Sequence, residues 1–232
     1  MIYIIVADTE YFEALMEEVI KRDCHDLWQP LSLIPNEVFS YIKSGKSEKN
    51  KSERFAAYST LFFALFTLYE KKNLRLCRTE LGKPYLEENE KASKIKISIS
   101  HTDGAVAVAL SDEYEIGVDI QSEIDENRAE RLEKRFFQSI NIKEENIHQK
   151  ILYLNPYRES DIIFEEIKGI EKELSPFTRK WAYCESLMKC DGGGFASIEK
   201  ISSIQKEITA YTKVIEINKT PFVIATAIKK TL

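Results

Sequence analysis

Basic residues are not in excess in this chain: 33 Lys and Arg stand against 38 Asp and Glu, a formal net charge of -5 over 232 residues. Sequence-independent phosphate affinity needs a concentrated surplus of Lys and Arg, so a nucleic-acid binder is disfavoured and any anionic ligand must be held by a local cluster. Metal-type or redox-type cysteine spacing is missing too. Cys24, Cys77, Cys184 and Cys190 form no Cys-x-x-Cys or Cys/His pattern, and a chain this long needs no disulfide staples, so they read as reduced thiols. Nor is there a long apolar run. The N-terminal "MIYIIVA" has no basic leader and is cut short by Asp8, while "FAAYSTLFFALFTLY" (55–69) is too short and too interrupted by polar residues for a bilayer. The expectation is a cytoplasmic protein with no membrane and no nucleic-acid partner. What is present is 44% hydrophobic and 11% aromatic content, enough for a substantial core in one large domain or two small ones.

Along the chain, "MIYIIVA" reads as an edge or core strand, followed by a helix from Thr9 to about Arg22 and a loop with Pro30 and Pro35. The stretch "YIKSGKSEKNKSER" carries Lys43, Lys46, Lys49, Lys51 and Arg54 against Glu48 and Glu53, a basic island whose plain reading is a solvated loop. Phe55 to Tyr69 is apolar nearly all round and predicts a buried helix. After the turn signal "LGKPYL", the segment "IKISISHTDGAVAVAL" reads as strand, tight turn and strand, continuing into "EIGVDIQ" as a β-meander. Helical "RAERLEKRFF" follows, then a charged, irregular region from Gln138 to about Ser175. A helix from about Pro176, "PFTRKWAYCESLMKC", ends at Gly192 to Gly194. The tail "KVIEINKTPFVIATAI" repeats the layout of "IKISISHTDGAVAVAL". The pattern suggests an α+β fold of two similar halves, 1–112 and 113–232.

Asp119 is out of place in an apolar strand, because its short carboxylate competes with the backbone and is costly to bury. Alone, such a residue is more often an edge or bulge residue than a ligand. Trp181, Glu185 and Lys189 fall on one helix face at i, i+4 and i+8, and a Glu/Lys pair at that spacing is usually a surface ion pair. The combination says more. A strand-borne Asp and a helix-borne Glu can offer hard oxygens to Mg²⁺, and Lys83, His101 and Lys189, with Arg54 further off, suit phosphate.

The ordered set "GKPYL", "SISHTDGAVAVAL", "IGVDIQ", "RFF" and "WAYCESLMK" resembles the surfactin-type 4′-phosphopantetheinyl transferases, which show GKP, a Ser-His-Ser strand end, (I/V)G(I/V)D and W-x-x-K-E-(S/A)-x-x-K. The resemblance runs from about Arg54 to Lys189. It implies a monomer of two α+β halves related by a pseudo-twofold, with coenzyme A and Mg²⁺ in the cleft between them. The implied reaction moves the 4′-phosphopantetheine arm of coenzyme A to a serine of an apo acyl or peptidyl carrier protein, releasing adenosine 3′,5′-bisphosphate. By the same resemblance Asp119 and Glu185 are metal ligands, Glu185 is also the proton acceptor, and Lys189 stabilises the leaving group. Lys83 and Pro84 match the nucleotide contact, Ser100 and His101 the 3′-phosphate contact, and Arg54 is a partner for that phosphate.

Several residues depart from the family pattern. Gln121 stands where many relatives have a second strand carboxylate, so it could ligate Mg²⁺ only weakly or through water. Cys184 replaces the usual Lys before the helix Glu and removes a cation from the site. Asp103 adds an unhelpful negative charge unless it points outward, and near Pro35 only Lys43 and Lys46 could stand in for the family's phosphate lysines. The long segment 138–175 reads as a lid or a carrier-docking surface, with Ile162, Ile163 and Phe164 as apolar contacts. Two other readings stay open: a degenerate coenzyme A-binding relative without transferase activity, and an unrelated Mg²⁺-dependent phosphoester hydrolase.

Overall fold

The computed structural model describes residues 1–13, 34–137, 140–155 and 163–230. Its mixed α+β architecture is layered, with two sheets back to back and a helix on each outer face. β1 (Ile2–Asp8) is a central strand, antiparallel to β6 (Ala105–Ser111) and parallel to β8 (Lys150–Asn155). β5 (Lys96–Thr102) and β9 (Ile163–Glu166) complete a five-stranded sheet in the order β5-β6-β1-β8-β9. The near-continuous apolar run of β1 follows from burial on both faces. Ile5 and Ala7 meet the helix α2 (Glu48–Tyr69), whereas Ile4 and Val6 meet the second sheet. That second sheet has the order β10-β11-β7, built from Thr209–Ile217, Thr220–Lys230 and Tyr114–Gln121. Its outer face is covered by helix α4 (Pro176–Asp191), through Cys184, Leu187, Met188 and their neighbours against Ala210 and Ala227.

The two large helices are marked by their ends. Ser47 accepts from the Asn50 amide at the start of α2, and Ser175 accepts from Thr178 N before Pro176 opens α4. Gly192, at φ +86°, stops α4 in the left-handed conformation that glycine adopts without strain. A small sheet of β2 (Arg75–Arg78), β3 (Pro84–Glu88) and β4 (Lys91–Ala92) carries the "TELGK" turn, 79–83. Shorter elements are α1 (Asn36–Lys43), α3 (Glu126–Leu132) with a π-turn over Glu133–Phe137, and a 3₁₀ turn (Gly194–Lys200) leading into α5 (Ile201–Ile204).

Four expectations change. The basic island is not a solvated loop: it is the end of α1, a short link and the first turns of α2. β5, β6 and β7 are not a hydrogen-bonded meander, because after β6 the chain crosses to the second sheet, where β7 pairs with β11. The crossing lies between Ser111 and Tyr114, and β8 and β9, from the later part of the chain, return to the first sheet. Within the segment 138–175, β8 and β9 are therefore sheet strands and not a lid, and Phe164 packs half-buried on Phe63. The expected helix after β1 is seen from Thr9 to Glu13; its remainder, Cys24, Pro30 and Ile162 lie outside the described residues. No helix among the described residues is long and apolar enough to cross a membrane.

Candidate functional site

Strand alternation explains the misplaced aspartate. Ile116, Val118 and Ile120 point between the sheets, so Gly117, Asp119 and Gln121 point at α4. Gly117 is where that helix comes down: a Cβ there would stand 2.1 Å from the Ser186 carbonyl oxygen and 2.4 Å from the Cys190 amide nitrogen. The backbone-to-backbone seat brings one face of α4 over the strand. Trp181 at its start is buried against Phe137 and Phe177, while Glu185 and Lys189 meet Asp119.

Asp119 is 3% exposed, and burying a lone carboxylate costs several kcal/mol, about 3–5 when a partner is removed. Lys189 Nζ lies 2.7 Å from Asp119 Oδ1 and 3.6 Å from Glu185 Oε2. Ser100 Oγ donates to the same Oδ1 at 2.6 Å and accepts from Lys189 at 2.8 Å. One cation thus serves two carboxylates. Burial first, and then the Asp119 charge, push the Glu185 carboxyl up to about 7, with Lys189 opposing. Asp119 Oδ2 is buried with no hydrogen-bond partner. No group of three or more His, Cys, Asp or Glu that could hold a metal ion occurs among the described residues. A buried Asp119 oxygen without a partner, beside a Glu185 carboxyl that shares the single cation Lys189, fits a hard divalent cation such as Mg²⁺. Gln121 lies on the same strand face, and its Nε2 reaches Thr102 Oγ1 at 3.4 Å.

Beside this cluster is a cavity of about 370 Å³, with Lys189 in its wall. Asn50, Arg54 and Tyr58 enter it from α2 at helical spacing, Tyr41 from α1, His101 from β5, and Arg78, Leu81, Gly82, Lys83 and Pro84 from the β2–β3 hairpin. The Arg54 guanidinium lies 4.2 Å from the Tyr41 ring centroid and donates to Tyr41 O at 2.9 Å and Ser44 Oγ at 3.3 Å. Arg78 lies 4.9 Å from the same centroid and donates to Gly82 O at 3.1 Å and to the Tyr58 hydroxyl. Neither arginine meets a carboxylate among the described residues. His101 faces Glu53 at 3.4 Å; burial of its inner edge lowers its pKa, helped by Lys189 and Arg54 and opposed by Glu53. Arg54 and Arg78 therefore give the cavity wall two cations without a carboxylate partner among the described residues, as an anion site requires.

The residues expected from the sequence divide between these two places. Asp119, Glu185 and Ser100 form the cluster, while Arg54, Pro84 and His101 line the cavity and Lys189 belongs to both. Ser100 and His101, adjacent on a strand, point to opposite faces and do not share one contact. Lys83 lines the cavity with its stem, but its Nζ is held by Glu115 Oε2 at 3.0 Å and by the Cys190 carbonyl at 2.8 Å. Lys96 holds the other oxygen of Glu115, also at 3.0 Å. Asp103 points outward, paired with Lys49 at 2.7 Å, and Lys43 and Lys46 do not line the cavity. Cys184 takes no cation from the site: it is fully buried in the core beneath α4, where burial pushes its thiol up to about 12.

Tyr41, Asn50, Tyr58 and Arg78 were not expected from the sequence. The signal for two of them was the i, i+4, i+8 spacing of Asn50, Arg54 and Tyr58, hidden when the charge run is read as loop. No family model matches the chain, and no curated protein matches it either.

Proposed function

We propose that this chain transfers the 4′-phosphopantetheine arm of coenzyme A to a serine of an apo acyl or peptidyl carrier protein, acting as a cytoplasmic monomer whose two halves are related by a pseudo-twofold. The observation that carries the reading is that Lys189 joins a two-carboxylate cluster to an anion-suited cavity. A substrate with a phosphomonoester at one end and a reacting pyrophosphate nearby needs that pairing. The motif order of the sequence supports the same assignment.

In this mechanism Arg54, Arg78 and His101 take the adenosine 3′-phosphate end, and Pro84 forms the wall beside the nucleotide. Lys189, at the boundary, lies beside the pyrophosphate. The carrier serine oxygen attacks the phosphorus that bears the pantetheine arm, and the phosphoanhydride bond to the adenosine side breaks. The serine proton passes to a Glu185 carboxylate oxygen, a group that titrates near neutrality. Lys189 offsets charge on the departing adenosine 3′,5′-bisphosphate. Asp119 and Glu185 would hold Mg²⁺, with Gln121 alongside, and Mg²⁺ when bound supplies neutralisation of the pyrophosphate charge.

Chromatography of the nucleotide products tests the proposal. Adenosine 3′,5′-bisphosphate should accumulate only when coenzyme A, Mg²⁺ and an apo carrier are all present. Release without a carrier would favour a phosphoester hydrolase instead. One observation favours a second reading, a coenzyme A-binding protein without transfer: Lys189 already occupies an oxygen of the candidate metal carboxylate. Coenzyme A binding with no release under any condition would select it.

A further inference from the structure

We infer that Tyr41 is a positioning residue of the cavity, its ring holding Arg54 and Arg78 together as a two-guanidinium clamp that selects a ligand ending in a phosphomonoester dianion. The inference rests on the proposed coenzyme A chemistry and deepens it, because it says which side chain sets the selectivity for the 3′-phosphate.

In most surface settings a guanidinium recruits a carboxylate. Here neither Arg54 nor Arg78 has one among the described residues, yet both lie over one aromatic ring, at 4.2 and 4.9 Å from its centroid. The negative face of a tyrosine ring attracts a guanidinium without neutralising it. The charge therefore stays available to a ligand, while the geometry is fixed. Backbone and hydroxyl groups complete the restraint. Arg54 is tied to Tyr41 O, and Arg78 to the Tyr58 hydroxyl and Gly82 O. The Tyr41 and Tyr58 rings meet edge to face at 5.8 Å, so both anchors belong to one aromatic unit. Tyr41 itself is 39% exposed, and its ring contacts are the two guanidiniums and the Tyr58 ring.

The test uses the intact protein with two probes, adenosine 3′,5′-bisphosphate and adenosine 5′-monophosphate, which differ by the 3′-phosphate alone. Calorimetric titration of the native protein should show the bisphosphate favoured by at least about tenfold, as charge-assisted contacts to two arginines imply. Tyr41→Leu keeps the backbone carbonyl contact to Arg54 and removes the ring. It should cut that preference by about fivefold or more, the loss falling on the bisphosphate more than on the monophosphate. Tyr41→Phe, which keeps the ring, should retain the preference. If Tyr41→Leu discriminates as well as the native protein, or Tyr41→Phe loses as much as Tyr41→Leu, the clamp is overturned while the transferase reading stands. If the native protein binds neither the bisphosphate nor coenzyme A, the functional reading fails and the clamp with it.

Discussion

Replacing Gly117 by alanine adds one methyl group where α4 rests on the β7 backbone. The new Cβ would lie 2.1 Å from Ser186 O, 2.4 Å from Cys190 N and 2.9 Å from Cys190 Cβ. The first two neighbours are backbone atoms of a helix and cannot rotate away. Ordinary contact begins at 3.4 Å, so α4 must lift by up to about 1.3 Å, the difference between 3.4 and 2.1 Å. Lys189 is long enough to follow Asp119, but Glu185 is short and moves with its helix. A misplacement of about 1 Å at a reacting group costs on the order of 10²-fold in rate. Overpacking itself costs about 1–3 kcal/mol. For a chain of this size that is about 2–4 °C in Tm per kcal/mol. Thermal unfolding followed by circular dichroism gives the second quantity, and kcat for carrier modification at saturating Mg²⁺ gives the first. An unchanged Tm together with native turnover would refute the claim that the Gly117 seat sets the Asp119–Glu185 geometry.

Asp119→Ala and Glu185→Ala should each lower transfer by about 10³-fold or more with the fold retained, and native-like turnover in either would misplace the metal site. Because folding raises the Glu185 pKa from 4.5 to about 7, its favourable contribution is present below pH 4.5 and lost as pH rises through about 7. That amounts to on the order of 3 kcal/mol. Urea unfolding at pH 5 and pH 8 should show a flatter pH dependence for Glu185→Gln than for the native protein, and identical slopes would count against the shift. Gln121→Glu should tighten Mg²⁺ binding in a calorimetric titration, and weaker binding would place Gln121 outside the site. Cys184→Lys drives a cation into the core beneath α4 and should destabilise by about 3 kcal/mol or more in urea. A native midpoint would show that residue 184 faces the site after all.

Part of this was legible in the sequence because local signals carried it. Asp119 stood out as a charged residue among β-branched neighbours, and α4 was bounded by Ser175-Pro176 and Gly192, both of which cap it. The Glu185–Lys189 spacing placed both groups on one face, which the structure sets against Asp119. The missed features depend on longer-range pairing or on overlapping patterns. The parallel pairing of β8 with β1 joins segments at opposite ends of the first 155 residues and leaves no local trace. The start of α2 was obscured because its solvent-facing lysines dominate the composition and mask the inward Asn50, Arg54, Tyr58 row. Cys184 was misjudged because adjacency to Glu185 says nothing about direction: one residue turns a helical side chain by about 100°. Here that turn leads into the core.

Intact-mass spectrometry of a panel of apo acyl and peptidyl carrier proteins, each incubated with this protein, coenzyme A and Mg²⁺, tests the central claim most directly. At least one carrier should gain the mass of a single 4′-phosphopantetheine group. That gain should vanish when the carrier's acceptor serine is replaced by alanine, or when Asp119→Ala replaces the native protein. Carriers that keep their apo mass throughout, in reactions where coenzyme A is bound or hydrolysed, would contradict it.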